Sequence, residues 1–178
     1  MTSLVHRLTQ YASYHRDRRN IATHLVGVPV IVVATEALLA RPSVLVGGLA
    51  VSPALGVAIA AAGFYLGLDR RYGATMVALL AAAFYGGVRM AAQPTGTWLV
   101  ASGALFAGGW ILQLVGHAFE GRKPAFADDL VGLAVGPLFV VAEAGFALGL
   151  RDDVRRAIER GAGPTRTARP TRPSPASR

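Results

Sequence analysis

Long apolar runs separated by short polar breaks dominate the chain. Residues 21–40, 44–68, 74–92 and 97–119 each come close to or exceed the about 20 helical residues that cross a hydrocarbon core of about 30 Å. Arg41-Pro42, Asp69-Arg70-Arg71 and Gln93-Pro94 separate them. A fifth apolar run, 130–150, is interrupted by Pro137 and Glu143. Ahead of the first run, residues 4–15 carry a helical alternation that predicts an amphipathic helix lying along the membrane interface. Asn20 is a good helix opener, so a turn is expected before a first span starting at Ile21. The pattern predicts an all-α, multi-pass transmembrane bundle. It has four spans, a fifth apolar segment that is re-entrant or buried, and an N-terminal amphipathic helix. The polar start does not read as a cleaved secretory signal.

Composition supports this reading. Of 178 residues 53% are hydrophobic and 16% charged, against about 25% charged in ordinary soluble domains. That excludes a disordered chain and argues against a soluble globular domain. There is no cysteine, which rules out disulfides, thiolate metal sites and cysteine nucleophiles. The net charge of +8 is concentrated at the ends and in alternate gaps: four Lys/Arg precede the first run, then the gaps hold one, two, none and two. This alternation places the N-terminus on the cytoplasmic side, and basic flanks of this kind set topology, so no nucleic-acid partner is expected. A fifth full crossing would carry the Arg-rich end outside, which favours a re-entrant or buried 130–150. Residues 161–178, rich in Arg, Pro, Ser and Thr, read as a disordered tail behind a single membrane-embedded helical domain, 1–160. The Ala/Gly/Arg-heavy usage points to a bacterial plasma membrane.

The candidate chemistry lies in the polar minority. Among the four histidines, His24 stands one turn into the first span and His117 near the end of the fourth, so both fall at the same membrane face. His15 precedes the first span on that same side, while His6 reads as an exposed helix residue. His15 and His24, nine residues apart, meet only if the chain turns between them. His117 and Glu120 share a helix face at i, i+3, so Glu120 is placed either to complete a coordination shell or to orient an imidazole. Such a set suits a borderline divalent metal, Fe(II) or Zn(II). Glu36 and Glu143 either pair with Arg89 and other donors or line a cavity. Small residues at four-residue spacing, Ala78/Ala82/Gly86 and Gly132/Gly136, predict close helix packing. Two other readings remain: a non-enzymatic transporter or scaffold with a polar route through Glu36, Arg89 and Glu143, and a zinc-dependent lipid hydrolase.

The stretch YASYHRDRRNIATHLVGVP resembles the opening of the 2-hydroxy fatty acid dioxygenase family, whose pattern of Tyr-x-x-x-His followed by Asn-x-x-x-His-x-x-Gly-x-Pro is met by Tyr11, His15, Asn20, His24, Gly27 and Pro29. GHAFEGRKPA is similar to a second block of that family through Gly116, His117, Glu120, Pro124 and Ala125, and Pro137, Leu138, Phe139 and Glu143 add a third. The resemblance implies an Fe(2+)-dependent α-oxidation in which a 2-hydroxy fatty acid and O2 give a fatty acid one carbon shorter, with the acyl tail among the spans and in contact with membrane lipid. It implies His15, His24 and His117 as metal ligands and Glu120 as a catalytic group, whether as ligand or as partner of one. Arg19, Asn20 and Glu143 are expected at the substrate.

Overall fold

A computed structural model describes residues 3–125 and 128–167. Among them the chain forms seven helices and one β-hairpin: α1 (Ser3–Ala12), α2 (Arg18–Ala40), β1 (Val44–Val46), β2 (Leu49–Val51), α3 (Pro53–Leu68), α4 (Arg70–Ala91), α5 (Thr95–Glu120), α6 (Val131–Ala147) and α7 (Asp152–Ala162). Three helices, α2, α4 and α5, are long and apolar enough to cross a membrane, and a fourth crossing is added if α6 and α7, bent by 116°, count as one broken span. Ile59, Leu79, Val100, Ile111 and Leu114 point outward and are exposed, an apolar surface of the kind that lipid covers.

The expected second span, 44–68, is divided. Gly47 and Gly48 both take positive φ (57° and 82°), which closes a tight hairpin pairing Val44 with Val51 and Val46 with Leu49. The β-branched valines favour that pairing over helix. Ser52 then caps α3, with Pro53 in the first turn. The remaining 16 residues extend about 24 Å, short of a full hydrocarbon core.

The helix opener also differs from expectation. Asp17, not Asn20, caps α2, its carboxylate accepting from Arg19 N–H at 2.9 Å. Asn20 is instead inside the first turn and fully buried. The amphipathic helix ends at Ala12, and its apolar residues Leu4 and Leu8 are buried against Val154 and Ile158 of α7 and the α6 core rather than presented to lipid.

The central scaffold is the antiparallel pair α2–α5, which approach closely at Gly27, Gly109 and Gly116. α4 lies along α2 with Gly87 against Glu36 and Ala37. The small-residue spacings behave in part as expected: Gly136 fits against the Tyr11 hydroxyl, while Ala82 lines an open groove. Both flanks of α6 are tied to the same end of the bundle. Tyr14 donates to Asp128 at 2.9 Å before it, and Arg151 pairs with Asp69 at 3.2 Å after it. The apolar run 130–150 thus forms one helix of 17 residues, packed on α1, α2 and α4 and followed by the 116° bend into α7. Residues 161–167 have defined positions, with Arg166 bridged to Asp17. Positions 168–178 of the expected tail lie outside the described residues.

Candidate metal centre

Each histidine reaches the centre from a different element. His15 lies in the turn after α1, where its ring stacks on Tyr11 with centroids 4.2 Å apart. His24 projects from α2 and His117 from α5, next to Gly116, whose missing side chain leaves room for Asn20, Thr23 and His24. All three imidazoles are buried. One ring nitrogen from each falls within a common 4.8 Å, and the ring centroids are 4.5 to 5.1 Å apart.

The hydrogen bonds fix the tautomers. His15 Nδ1 donates to Tyr11 O at 2.8 Å, and His24 Nδ1 donates to Asn20 O at 2.9 Å. A carbonyl oxygen only accepts, so each ring proton is on Nδ1 and each Nε2 is a bare lone pair. Burial first, then the charge of His24, pushes the His15 pKa down to about 2, which keeps it neutral. The two bare Nε2 atoms face one another at 3.1 Å, an arrangement that repels unless a cation lies between. His117 Nδ1 is a third buried nitrogen, with no hydrogen-bond partner among the described residues. Imidazoles anchored to backbone carbonyls through their far nitrogen are the usual form of metal-binding histidine. The donor set therefore fits a borderline divalent ion such as Fe(II) or Zn(II).

Glu120, the last residue of α5, is not one of this trio. Its Oε2 accepts from the backbone N–H of Arg16 at 3.0 Å, from that of Asp17 at 2.7 Å and from Asn20 Nδ2 at 3.2 Å, while Oε1 pairs with Arg166. The carboxylate thus holds in place the turn that presents His15. Asn20 contributes to that clamp through its side chain and to His24 through its carbonyl.

The remaining expected site residues are placed apart from the histidines. Arg19 is half-exposed, paired with Asp17 at 2.9 Å and stacked over Phe119 at 4.7 Å. Glu143 accepts from Arg16 at 3.3 Å and lines a cavity of about 390 Å³ with Arg18, Arg155 and Glu159. Glu36 sits about four-fifths of the way along α2 against Gly87, with Oε2 unpaired among the described residues, and Arg89 is exposed. Among the described residues, no hydrogen bond or ion pair joins Glu36, Arg89 and Glu143 to one another.

A smaller cavity of about 90 Å³ opens directly beside His24 and His117, walled by Tyr11, Trp110, Gly136 and Pro137 among others. It shares the wall residues Val28, Val32 and Pro137 with an adjoining apolar groove of about 330 Å³ between α2, α4 and α6. Three further residues shape these surroundings, and two of them, Arg166 and Gln113, were not anticipated from sequence. Arg16, 5% exposed, donates to His15 O, Gly163 O and Glu143. Arg166 closes over Glu120. Gln113, 5% exposed, lines the smaller cavity with both side-chain polar atoms unpaired among the described residues. A lone amide in an apolar run, one turn before His117, was the available signal for it.

A buried cluster of three histidines that could hold a metal ion lies at one end of a bundle with membrane-type apolar helices. The chain belongs to the 2-hydroxy-palmitic acid dioxygenase Mpo1-like family, whose sequence model matches residues 1–148. It is also similar to the 2-hydroxy-palmitic acid dioxygenase MPO1 of Saccharomyces cerevisiae, 44% identical over 57 residues, which is 31% of this chain and 33% of that protein. The match thus spans about a third of the curated relative. No solved structure matches the chain.

Proposed function

We propose that the protein is an iron(II)-dependent dioxygenase that shortens 2-hydroxy fatty acids by one carbon at the membrane interface. The observation that carries this reading is the pair of bare Nε2 atoms of His15 and His24 facing each other beside the orphaned His117 Nδ1. Family membership supports the substrate class. The overall reaction needs no further reductant: R–CHOH–COOH and O2 become R–COOH, CO2 and H2O, with O2 taking all four electrons from C1 and C2. Iron(II) held by the three imidazoles supplies O2 activation.

The chain's own residues do the rest. The polar head of the substrate enters the cavity beside His24 and His117, and its acyl chain follows Val28, Val32 and Pro137 into the groove between α2, α4 and α6. That seating holds the C1–C2 bond next to the centre and excludes water, so much of the catalysis is positional. Glu120 acts as a positioning residue for His15, and Glu143 balances the charge of Arg16 next to the centre. Arg19 stays at the rim, where it meets carboxylates arriving from the interface. The cytoplasmic orientation of the N-terminus and a bacterial plasma-membrane location belong to the same reading, supported by the Lys/Arg distribution and the Ala/Gly/Arg usage.

The test is metal analysis after anaerobic purification, followed by mass spectrometry of the products from 2-hydroxypalmitate and O2. Pentadecanoate and CO2 in step with O2 uptake are expected from iron-replete protein. Iron-replete protein that leaves 2-hydroxypalmitate unchanged overturns the reading.

A further inference from the structure

Gln113 is a polar side chain where the packing makes no use of one. Its residue is 5% exposed, and neither Nε2 nor Oε1 has a hydrogen-bond partner among the described residues. An amide left unsatisfied in an apolar interior is costly, and a folded chain rarely keeps one without a reason. The backbone makes room for it: a Cβ on Gly27 would stand 2.5 Å from Gln113 Nε2. Gln113 and His117 are four residues apart on α5 and share a face. Both line the cavity beside His24, whose other walls are mainly apolar, Val28, Ile31, Val32, Leu133 and Pro137 among them, with Tyr11 and Trp110 as the further side chains that carry a polar atom.

We infer that Gln113 reads the polar head of the substrate, Nε2–H donating to a carboxylate oxygen and Oε1 accepting from the 2-hydroxyl. This rests on the reading proposed above and adds its specificity determinant. A primary amide offers a donor and an acceptor on one carbon, side by side, which matches the acceptor and donor that a 2-hydroxy acid presents on adjacent carbons. An unhydroxylated fatty acid leaves Oε1 buried and unpaired, so the same residue that welcomes the hydroxy acid rejects the plain one. The adjoining apolar groove supplies affinity for the tail without regard to the head.

The experiment measures binding of 2-hydroxypalmitate and of palmitate to anaerobic, iron-loaded full-length protein, comparing wild type with Gln113→Leu. Gln113→Met, closer in shape, serves if the leucine variant does not fold. Wild type is expected to prefer the hydroxy acid by about tenfold or more, and either variant to reduce that preference to within about twofold. The loss should fall on 2-hydroxypalmitate, with palmitate affinity and iron content retained. Thermal stability without ligand should hold or rise, because an apolar side chain replaces an unsatisfied amide. A variant that keeps the wild-type preference overturns the assignment of Gln113 while leaving the dioxygenase reading in place. Wild type that binds both acids equally overturns the assignment as well, and wild-type turnover of 2-hydroxypalmitate then shows separately whether that reading survives.

Discussion

His15 Nε2 and His24 Nε2 stand 3.1 Å apart with both ring protons committed to backbone carbonyls on the far side. Two neutral imidazoles normally meet donor to acceptor, and here neither can donate. A divalent cation converts this repulsion into coordination. Each of His15→Ala, His24→Ala and His117→Ala is therefore expected to weaken iron(II) binding by at least about 100-fold. Iron(II) at 100 times its Kd should stabilise the wild type by about 2.7 kcal/mol. Metal titration and thermal unfolding in detergent check both, and a His24→Ala protein that keeps the metal-dependent rise in Tm contradicts the ligand assignment.

Glu120 gathers four donors onto one carboxylate. Glu120→Ala leaves two backbone N–H groups and the Asn20 amide short of an acceptor, at a cost of about 2–4 kcal/mol. With the His15 turn loosened, iron(II) affinity should drop by about tenfold or more. Glu120→Gln keeps one acceptor and should fall between. Arg166→Ala removes only the partner on the more exposed side and should cost about 1 kcal/mol. Equal losses for Arg166→Ala and Glu120→Ala in thermal unfolding would show that the ion pair, not the clamp on the turn, is what matters.

Asp69 joins three elements. It accepts from Arg71 N–H and Tyr72 N–H at 2.9 Å each, capping α4, and pairs with Arg151 beyond α6. Burial pushes its pKa up, but the Arg151 hydrogen bonds and charge and the two N–H groups outweigh it, and the net shift is downward. A depressed carboxylate contributes stability that is present above its unfolded pKa of about 3.9 and lost as pH falls through the folded value. Asp69→Ala should therefore cost about 1–2 kcal/mol at neutral pH, with the gap to wild type closing below the folded-state pKa. Unfolding midpoints at neutral and strongly acidic pH give the comparison, and a gap that widens in acid refutes the assigned sign.

In the proposed reading, the groove between α2, α4 and α6 sets how long an acyl chain fits. Ala82 faces it from α4 and is exposed, so Ala82→Phe fills the groove without disturbing the core. The ratio of kcat/KM for long over short 2-hydroxy acids should fall by about tenfold. Product distributions from a mixed-chain substrate pool report it, and an unchanged distribution places the acyl chain elsewhere.

The His15 and His24 block and the His117 block were legible because histidine is conspicuous in an apolar run and because helix ends put His24 and His117 at one depth. What joins them was less so. Hydropathy does not distinguish the valines of β1 and β2 from those of a helix, so Gly47-Gly48 was absorbed into a span. Asp17 and Asn20 are both good caps by residue type, and only the contact with Glu120, a hundred residues away, decides that Asn20 is needed inside the helix. Arg166 lies in a stretch whose composition reads as unstructured. Its place is set by two backbone hydrogen bonds, to Arg16 and Arg18, that no residue type announces. Gln113 was passed over because one amide barely alters the mean hydropathy of α5.

The clamp by which Glu120 and Arg166 hold the His15 turn also imposes an order on biogenesis. Synthesis delivers His15 and His24 early, while the third imidazole, the carboxylate and the closing arginine come from progressively later parts of the chain. Until α5 is inserted antiparallel to α2, the first two histidines have no third partner. Until α7 has folded back along α1, the turn that carries His15 lacks its cover. If the three histidines hold a metal, its capture waits until α5 lies antiparallel to α2, so a bound ion would report that these two helices have paired in their proper directions.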